Sequence, residues 1–132
     1  MITSTASTLA HHLESLVDGN IDAIMADYGE ASVLITPDGP LRGLQEIRRL
    51  FSKIVSKMLP AGSELEVLRQ EIEGEVAYTV WRGSSAHFNF LIGTDTFIIR
   101  DGKIVCQTFA AQIQPKGVYK SVRPPAPPSP MP

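Results

Sequence analysis

The chain has 132 residues, 43% of them hydrophobic, and a formal net charge of −2. This composition suits one domain with a hydrophobic core, and the charge predicts no general attraction to nucleic acid or acidic membranes. No apolar run approaches the ~20 residues that span a bilayer, and the N-terminus lacks the features of a signal peptide, so we expect a cytoplasmic protein. The single cysteine, Cys106, excludes an internal disulfide and is expected to be a small buried hydrophobe.

Two helices are predicted before the first strand. Thr8 is expected to cap the first helix, whose apolar positions recur at helical spacing: Leu9, Leu13, Leu16 and Val17. After Gly19, a second short helix is expected to end at Gly29 and to carry one apolar stripe: Ile21, Ile24, Met25 and Tyr28. A strand at about 31–36 and a turn at 37–40 follow.

The remainder of the chain predicts one long helix and four consecutive strands. The segment after Gly43 has apolar residues every three or four positions and is expected to bury one face. The predicted strands are 64–73, 76–83, 87–100 and 103–113. Gly93 is expected to mark a bulge or bend, and Asp101-Gly102 is a strong signal for a two-residue hairpin turn. This order indicates an α+β fold, in which a strongly curved, mostly antiparallel sheet wraps around about three helices and encloses a conical space.

One domain is expected over residues 1–114, followed by a proline-rich C-terminal tail over 115–132. The prolines of this tail cannot form a helix or a central strand, so an extended tail is predicted. Its PxxP spacings would suit a proline-recognising partner, but an unstructured tail is the simpler interpretation.

Asp95 is the most informative residue of the predicted hairpin, because an ionised carboxyl that faces a core costs roughly several kcal/mol unless it is paired. A regular two-residue turn pairs Arg100 with Lys103 and, further along, Asp95 with Thr108. The more apolar face of the hairpin is assigned to the interior, and it carries Asp95, Phe97, Ile99, Ile104, Cys106, Thr108 and Ala110. A register shift of one residue would reverse this assignment.

The opposite face of the hairpin is too apolar for a surface exposed to water. It carries Ile98, Val105, Gln107 and Phe109. We expect this face to pack against a second copy of the chain in a homodimer. Neither nucleic acid nor a membrane is expected as a partner.

The strand that leads to Asp95 offers two arrangements. If side chains alternate regularly through Gly93, His87 and Asn89 share the face of Asp95 and line one wall of a cavity. A histidine and a buried carboxyl suit proton transfer, because burial raises the pKa of an aspartate. A bulge at Gly93 would instead turn three apolar side chains inward: Phe88, Phe90 and Ile92.

The aromatic residues Tyr28 and Trp81 can each be interpreted as core residues or as part of this pocket. Phe97 and Thr108 share the face of Asp95 and are predicted ligand contacts. His11 and His12 point about 100° apart on a helix, so they cannot easily ligate one metal, and no metal site is predicted. The sequence contains no phosphate-binding loop, nucleophile elbow or dinucleotide fingerprint.

The chain resembles the NTF2-like superfamily, and the SnoaL-like group within it, over about residues 8–113. The resemblance rests on the helix and strand NIDAIMADYGEASVLI, the turn and helix PDGPLRGLQEIRRLF, and the hairpin GTDTFIIRDGKIVCQTFAA. It implies a cone with an internal pocket, usually in a homodimer. It does not specify an activity, because members include polyketide cyclases, ketosteroid isomerases, dehydratases, epoxide hydrolases and non-catalytic binders.

Residue-by-residue comparison disfavours two of these activities. Asp95 resembles the protonated aspartate in the oxyanion hole of ketosteroid isomerase. The position that resembles the isomerase base is Ile35 or Thr36, and the position that resembles its tyrosine is His12 or Leu13. Two of the three isomerase groups are therefore missing, which disfavours steroid isomerisation. The epoxide hydrolases carry an arginine and an aspartate on the last strand, where this chain has Gln107, Thr108 and Phe109.

Two functions therefore remain open. The first is a cofactor-independent isomerase, cyclase or lyase that acts on an apolar carbonyl compound, with Asp95 as acid-base group or oxyanion donor and with His87 and Tyr28 assisting. The second is a non-catalytic module that binds a hydrophobic small molecule or dimerises. A peptide-binding transport adaptor is a poorer third interpretation, because the sequence indicates no exposed groove.

Overall fold

The computed structural model describes residues 4–117. Within this range the elements are α1 (Thr5–Asp18), α2 (Ile21–Met25), β1 (Tyr28–Thr36), β2 (Gly39–Arg42), α3 (Gly43–Lys53), β3 (Glu64–Glu73), β4 (Val76–Ser84), β5 (Phe88–Arg100) and β6 (Lys103–Pro115). The α3 helix continues into a π-helical turn, Ile54–Met58. The six strands form one curved, open sheet in the order β2-β1-β6-β5-β4-β3, with β1 and β6 parallel. The predicted α+β cone is confirmed. Pro115, the first residue of the predicted tail, is the last residue of β6, and 118–132 lie outside the described residues.

The first two helices differ in their ends from the prediction. The N-cap of α1 is Ser4, not Thr8, because the Ser4 Oγ accepts a hydrogen bond from the Ser7 N–H at 3.0 Å. The second helix stops at Met25, and Tyr28 opens β1 instead of extending the helical stripe. The Ile104 N–H donates to the Asp27 carbonyl at 2.7 Å, and this bond draws the chain into the sheet before Tyr28.

The main hydrophobic core lies between the helices and the concave face of the sheet. Its large, fully buried apolar side chains are Leu9, Ile24, Leu34, Ile47, Phe97 and Ile104. Burying one such side chain stabilises a fold by about 1.5–3 kcal/mol. A second cluster, formed by Leu59, Trp81 and Phe90, occupies the far end of the concave face.

The β5–β6 hairpin begins with the predicted register and then departs from it. Asp101 and Gly102 both have positive φ, 52° and 76°, as a type I′ turn requires. The pairs Arg100–Lys103 and Ile99–Ile104 follow the prediction, but the next pair joins Ile98 to Cys106. Val105 is therefore an extra residue, and such a bulge reverses the faces of everything beyond it.

This bulge corrects the predicted faces of β6. Asp95 lies opposite Phe109, not Thr108, and Phe97 lies opposite Gln107. Gln107 and Phe109, predicted for the outer dimer face, point into the cone, where Gln107 is buried. Cys106 is half-buried on the outer face rather than in the core, and Thr108 is exposed there.

A second bulge lies in β5, but not at Gly93. The register shifts between Phe90 and Ile92, so Leu91 is the extra residue, whereas Gly93 is paired with Trp81 and with Ala111. Of the three side chains that a bulge was expected to turn inward, Phe88 and Phe90 pack in the second core cluster and Ile92 remains exposed.

Candidate functional site

A cavity of about 90 Å³ lies between the concave face of the sheet and the helices α1 and α3. Most of its wall is apolar and includes Leu16, Leu50, Ile54, Leu65 and Phe109. The polar or hydrogen-bonding side chains in the wall are His12, Thr79, Trp81, Asp95 and Gln107. A mainly apolar cavity with a few converging polar groups is typical of a small-molecule site.

Asp95 supplies the only carboxyl group among the described residues that line this cavity. It projects inward from β5, is 9% exposed, and has one carboxyl oxygen, Oδ1, without a hydrogen-bond partner. Burial raises the pKa of Asp95 to about 7, and the neighbouring Trp81 indole N–H counteracts part of the rise without reaching full hydrogen-bond geometry. At neutral pH this carboxyl therefore occupies both protonation states and can accept or donate a proton.

Trp81 forms an aromatic wall beside Asp95. Its ring packs on Phe90 with centroids 5.6 Å apart, and it lies within 11° of parallel to the ring of Phe109 at 6.4 Å. The indole N–H is buried and has no hydrogen-bond partner in the described chain. Because an indole N–H can only donate, it offers a hydrogen bond to an acceptor in the cavity.

His12 brings a neutral imidazole to the same cavity from α1. It is buried, its Nδ1 has no partner, and its ring makes edge contacts with Tyr28, Phe51 and Phe97 at centroid distances of 5.9, 5.8 and 5.4 Å. Burial, with a smaller contribution from the charge of the neighbouring His11, lowers the pKa of His12 to about 4. The ring is therefore uncharged at neutral pH and carries one donor and one acceptor nitrogen.

Tyr28 and Gln107 form a buried pair at the edge of the cavity. The Tyr28 hydroxyl donates a hydrogen bond to Oε1 of Gln107. Burial raises the pKa of Tyr28 well above its usual value, and the negative charges of Asp95 and Asp27 add to the rise. Because the Gln107 carbonyl is engaged, its NH₂ group remains available as a donor, and Gln107 lines the cavity.

The structure brings together part of the predicted site. Asp95 and Trp81 line the cavity, and Tyr28 is linked to it through Gln107. Phe97 is fully buried behind His12 and supports the wall.

Three predicted site residues lie elsewhere. His87 is exposed before the start of β5, where its backbone carbonyl accepts from the Lys116 N–H at 2.8 Å. Asn89 lines a separate surface groove, and its Oδ1 accepts from the Ser84 hydroxyl at 3.3 Å. Both lie before the Leu91 bulge, which breaks the regular alternation that would have aligned them with Asp95. Thr108 is outside because of the Val105 bulge.

The cavity residues that were not predicted as site residues include His12, Thr79, Gln107 and Phe109. His12 follows Leu9 by three positions, so the helical period of α1 places it on the buried face. Thr79 is buried opposite Asp95, and its hydroxyl has no partner. Gln107 and Phe109 could have been placed only by locating the bulge.

Two further observations concern residues 4–117. No group of three or more His, Cys, Asp or Glu side chains is placed there to hold a metal ion. Nor is any helix there long and apolar enough to cross a membrane.

The helices, the curved sheet and the internal cavity together define an NTF2-like cone. A family model described as a SnoaL-like domain matches residues 9–107. The chain therefore belongs to the SnoaL-like family, which confirms the resemblance seen in the sequence. A comparison with curated proteins found no match.

Solved structures that share the fold differ in their named activities. A candidate ketosteroid isomerase from Kribbella flavida DSM 17836 is 15% identical, with a TM-score of 0.68 over 98% of this chain and 96% of that chain. An LEH-like epoxide hydrolase from M. tuberculosis is 16% identical, with a TM-score of 0.67 over 84% of each chain. A candidate polyketide cyclase from Sinorhizobium meliloti is 17% identical, with a TM-score of 0.65 over 77% and 92%. At these identities the likeness establishes the fold alone.

Proposed function

We propose that this SnoaL-like protein binds a compact apolar carbonyl compound in the cone and acts on it as a cofactor-independent isomerase, cyclase or lyase. One observation carries the proposal: Asp95 places a carboxyl with a pKa of about 7 and an unpartnered oxygen in an otherwise apolar cavity. Carboxyls tuned toward the working pH are characteristic of acid-base sites.

The proposed chemistry needs one proton-carrying group and one set of hydrogen-bond donors. The ionised form of Asp95 takes a proton from the carbon next to the carbonyl group, and the electron pair of that C–H bond moves toward the carbonyl oxygen. The Gln107 NH₂ group supplies the donors for the resulting enolate oxygen. Asp95 then returns the proton to carbon, so isomerisation consumes no proton and needs no cofactor.

The ligand in this proposal is small and uncharged. The cavity is about 90 Å³ and mainly apolar, and its imidazole is neutral. An ionic ligand would lose its hydration there without gaining a fixed opposite charge, apart from the ionised fraction of Asp95.

Proton exchange in D₂O tests this activity. Small cyclic and branched ketones are incubated with the protein, and NMR follows deuterium uptake at the carbons next to the carbonyl group. The wild type is expected to accelerate uptake for at least one ketone, and Asp95→Asn to lose roughly 100-fold or more of that acceleration. Thr108→Ala, on the outer face, is the control and should retain it. Acceleration that survives in Asp95→Asn would contradict the proposal.

A non-catalytic binding protein is the second candidate. Neither residue at the position that resembles the isomerase base, Ile35 or Thr36, carries a carboxyl, and Ile35 is 43% exposed and pairs with Thr108 on the outer face. Among the described residues that line the cavity, Asp95 has no second carboxyl beside it. A ketone that raises the melting temperatures of the wild type and Asp95→Asn equally, with no deuterium uptake, would favour this function.

The proposal includes a homodimer formed through the outer face of the sheet. With Gln107 and Phe109 assigned to the interior, the predicted residues left for that face are Ile98 and Val105, both half-buried in the single chain. Ile35, Val76 and Tyr78 are exposed on strands of the same face.

We also propose one domain over 1–114 with a C-terminal tail. A cytoplasmic location is proposed as well, and it suits a chain whose one cysteine has no internal partner.

A further inference from the structure

Gly93 leaves room for the ring of Trp81. The two residues face each other across β4 and β5. A Cβ at position 93 would overlap Cε2 and Cζ2 of the indole and lie 2.8 Å from its Nε1. The indole therefore rests directly on the backbone of β5, in a space that any side chain would fill.

The backbone itself does not demand glycine at this position. Gly93 has no positive φ, in contrast to seven other described glycines, and the β5 bulge lies at Leu91 instead. A glycine in the interior of a strand weakens it, because it adds chain entropy and removes a packing side chain. The close approach of the indole is the feature that accounts for glycine here.

Gly93 and Asp95 lie two residues apart on one strand, so they occupy the same face of the sheet. The indole that lies over Gly93 also brings its N–H close enough to the Asp95 carboxyl to lower the pKa of that carboxyl. Both the indole N–H and the Asp95 Oδ1 are buried, and neither has a hydrogen-bond partner in the described chain. Asp95 would lose this neighbour if the ring were displaced.

We propose that Gly93 is a positioning residue that holds the Trp81 indole flat on β5 and thereby aims its N–H at Asp95. This inference rests on the proposed role of Asp95, but it concerns the acidity of the carboxyl, which is measurable without turnover. If the inference fails, the acid-base role of Asp95 can still stand, and if no ketone is turned over, the positioning can still be demonstrated.

The test is the pKa of Asp95, followed by ¹³C NMR of the side-chain carboxyl in the full chain. Burial raises this pKa and the indole N–H lowers it. Gly93→Ala pushes the ring away and should raise the pKa by roughly 0.5 to 1, and Trp81→Phe should do the same. The other titratable groups near the carboxyl are His12, which lines the cavity, and Tyr28, which lies at its edge. The pKa of His12 is lowered to about 4 and that of Tyr28 is raised well above its usual value, so neither group changes its charge as Asp95 titrates near pH 7.

A second crowded glycine supplies the control. A Cβ at Gly83 would lie 2.9 Å from the Glu64 carbonyl oxygen, away from the indole. Gly83→Ala should therefore reduce stability without changing the pKa of Asp95. If Gly93→Ala leaves that pKa unchanged or lowers it, or if Gly83→Ala raises it equally, the inference is wrong.

The double variant keeps the test decisive if Gly93→Ala does not fold. The smaller ring of Trp81→Phe relieves the overlap, so adding Gly93→Ala to Trp81→Phe should cost much less stability than adding it to the wild type. In the double variant the pKa of Asp95 should match that of Trp81→Phe alone. Equal losses of stability in both backgrounds would show that the indole is not what position 93 accommodates.

Discussion

Two titratable side chains in one cavity have pKa values in the reverse of their usual order, because that of the aspartate is raised and that of the histidine is lowered. Asp95 moves from 3.8 up to about 7, and His12 moves from 6.5 down to about 4. Desolvation is the main cause for both, because it penalises the charged form of either group. The cavity thus holds two neutral groups between about pH 4 and 6.5, where the same groups in water would both be charged.

This reversal predicts opposite pH dependences of stability from the two groups. Between pH 4 and 6.5 the folded state holds the proton of Asp95, which the unfolded state releases, so the Asp95 contribution falls as pH rises. In the same window the unfolded state protonates His12 and the folded state does not, so the His12 contribution rises with pH. Each change amounts to roughly 3–4 kcal/mol, and in the wild type the two largely cancel.

Urea unfolding at a series of pH values separates these contributions. Relative to the wild type, the unfolding free energy of Asp95→Asn should rise with pH between 4 and 6.5, and that of His12→Gln should fall. Comparison with the wild type removes the contribution of surface carboxyls, which all three proteins share. Parallel pH profiles in the three proteins would show that neither buried group is shifted.

At the scale of single elements, the Val105 bulge decides which side of β6 faces the cavity. Without it, Thr108 would lie inside and Phe109 outside. Phe109→Ala is therefore expected to lower the unfolding free energy by about 2–3 kcal/mol through lost packing, whereas Thr108→Ala should change it by less than about 0.5 kcal/mol. Urea denaturation of both variants makes the comparison, and the reverse order would mean that the strand pairs without a bulge.

The same hairpin shows how far sequence could predict this site. The turn and its first two pairs follow from Asp101-Gly102, since local chemistry selects the turn type. The inward direction of Asp95 also follows, because β5 is counted from that turn without interruption. The bulge could not be located, because Val105 and Cys106 are both apolar and the alternation pattern fits either residue as the extra one.

Two other differences have the same kind of cause. Tyr28 continues the helical spacing of α2, but a long-range bond between Ile104 and Asp27 places it in a strand. His87 and Asn89 were aligned with Asp95 by assuming regular alternation, which the Leu91 bulge interrupts. Contacts between distant segments outweighed local pattern in each case.

At the scale of the whole molecule, the inner face of the sheet borders the core and the cavity, whereas no other element of the described chain covers the outer face. The outer face is continuous and carries no charged residue along its middle: Val33, Ile35, Val76, Tyr78, Thr96, Ile98, Cys106, Thr108 and Ala110. A monomeric protein rarely exposes a large contiguous patch of apolar side chains, so this face is the expected site of contact with a second copy.

Sedimentation velocity tests the proposed dimer. The wild type is expected to sediment as a dimer and Ile98→Arg as a monomer, because a guanidinium would be buried without a partner at the centre of the interface. Val17→Arg is the matched control, since Val17 is exposed on α1, away from the outer face. A monomeric wild type, or dissociation by both variants alike, would exclude this interface.

The position of β6 between β1 and β5 has a consequence for synthesis in the cell. The Ser32 hydroxyl donates to the Ile104 carbonyl across 72 residues, and β1 has no neighbour on that side until β6 arrives. During synthesis, one edge of β1 therefore stays unpaired while β3, β4 and β5 are made. Closure comes with β6, the last of the described strands to emerge, so the sheet is completed late and the polypeptide is exposed to misassembly until then.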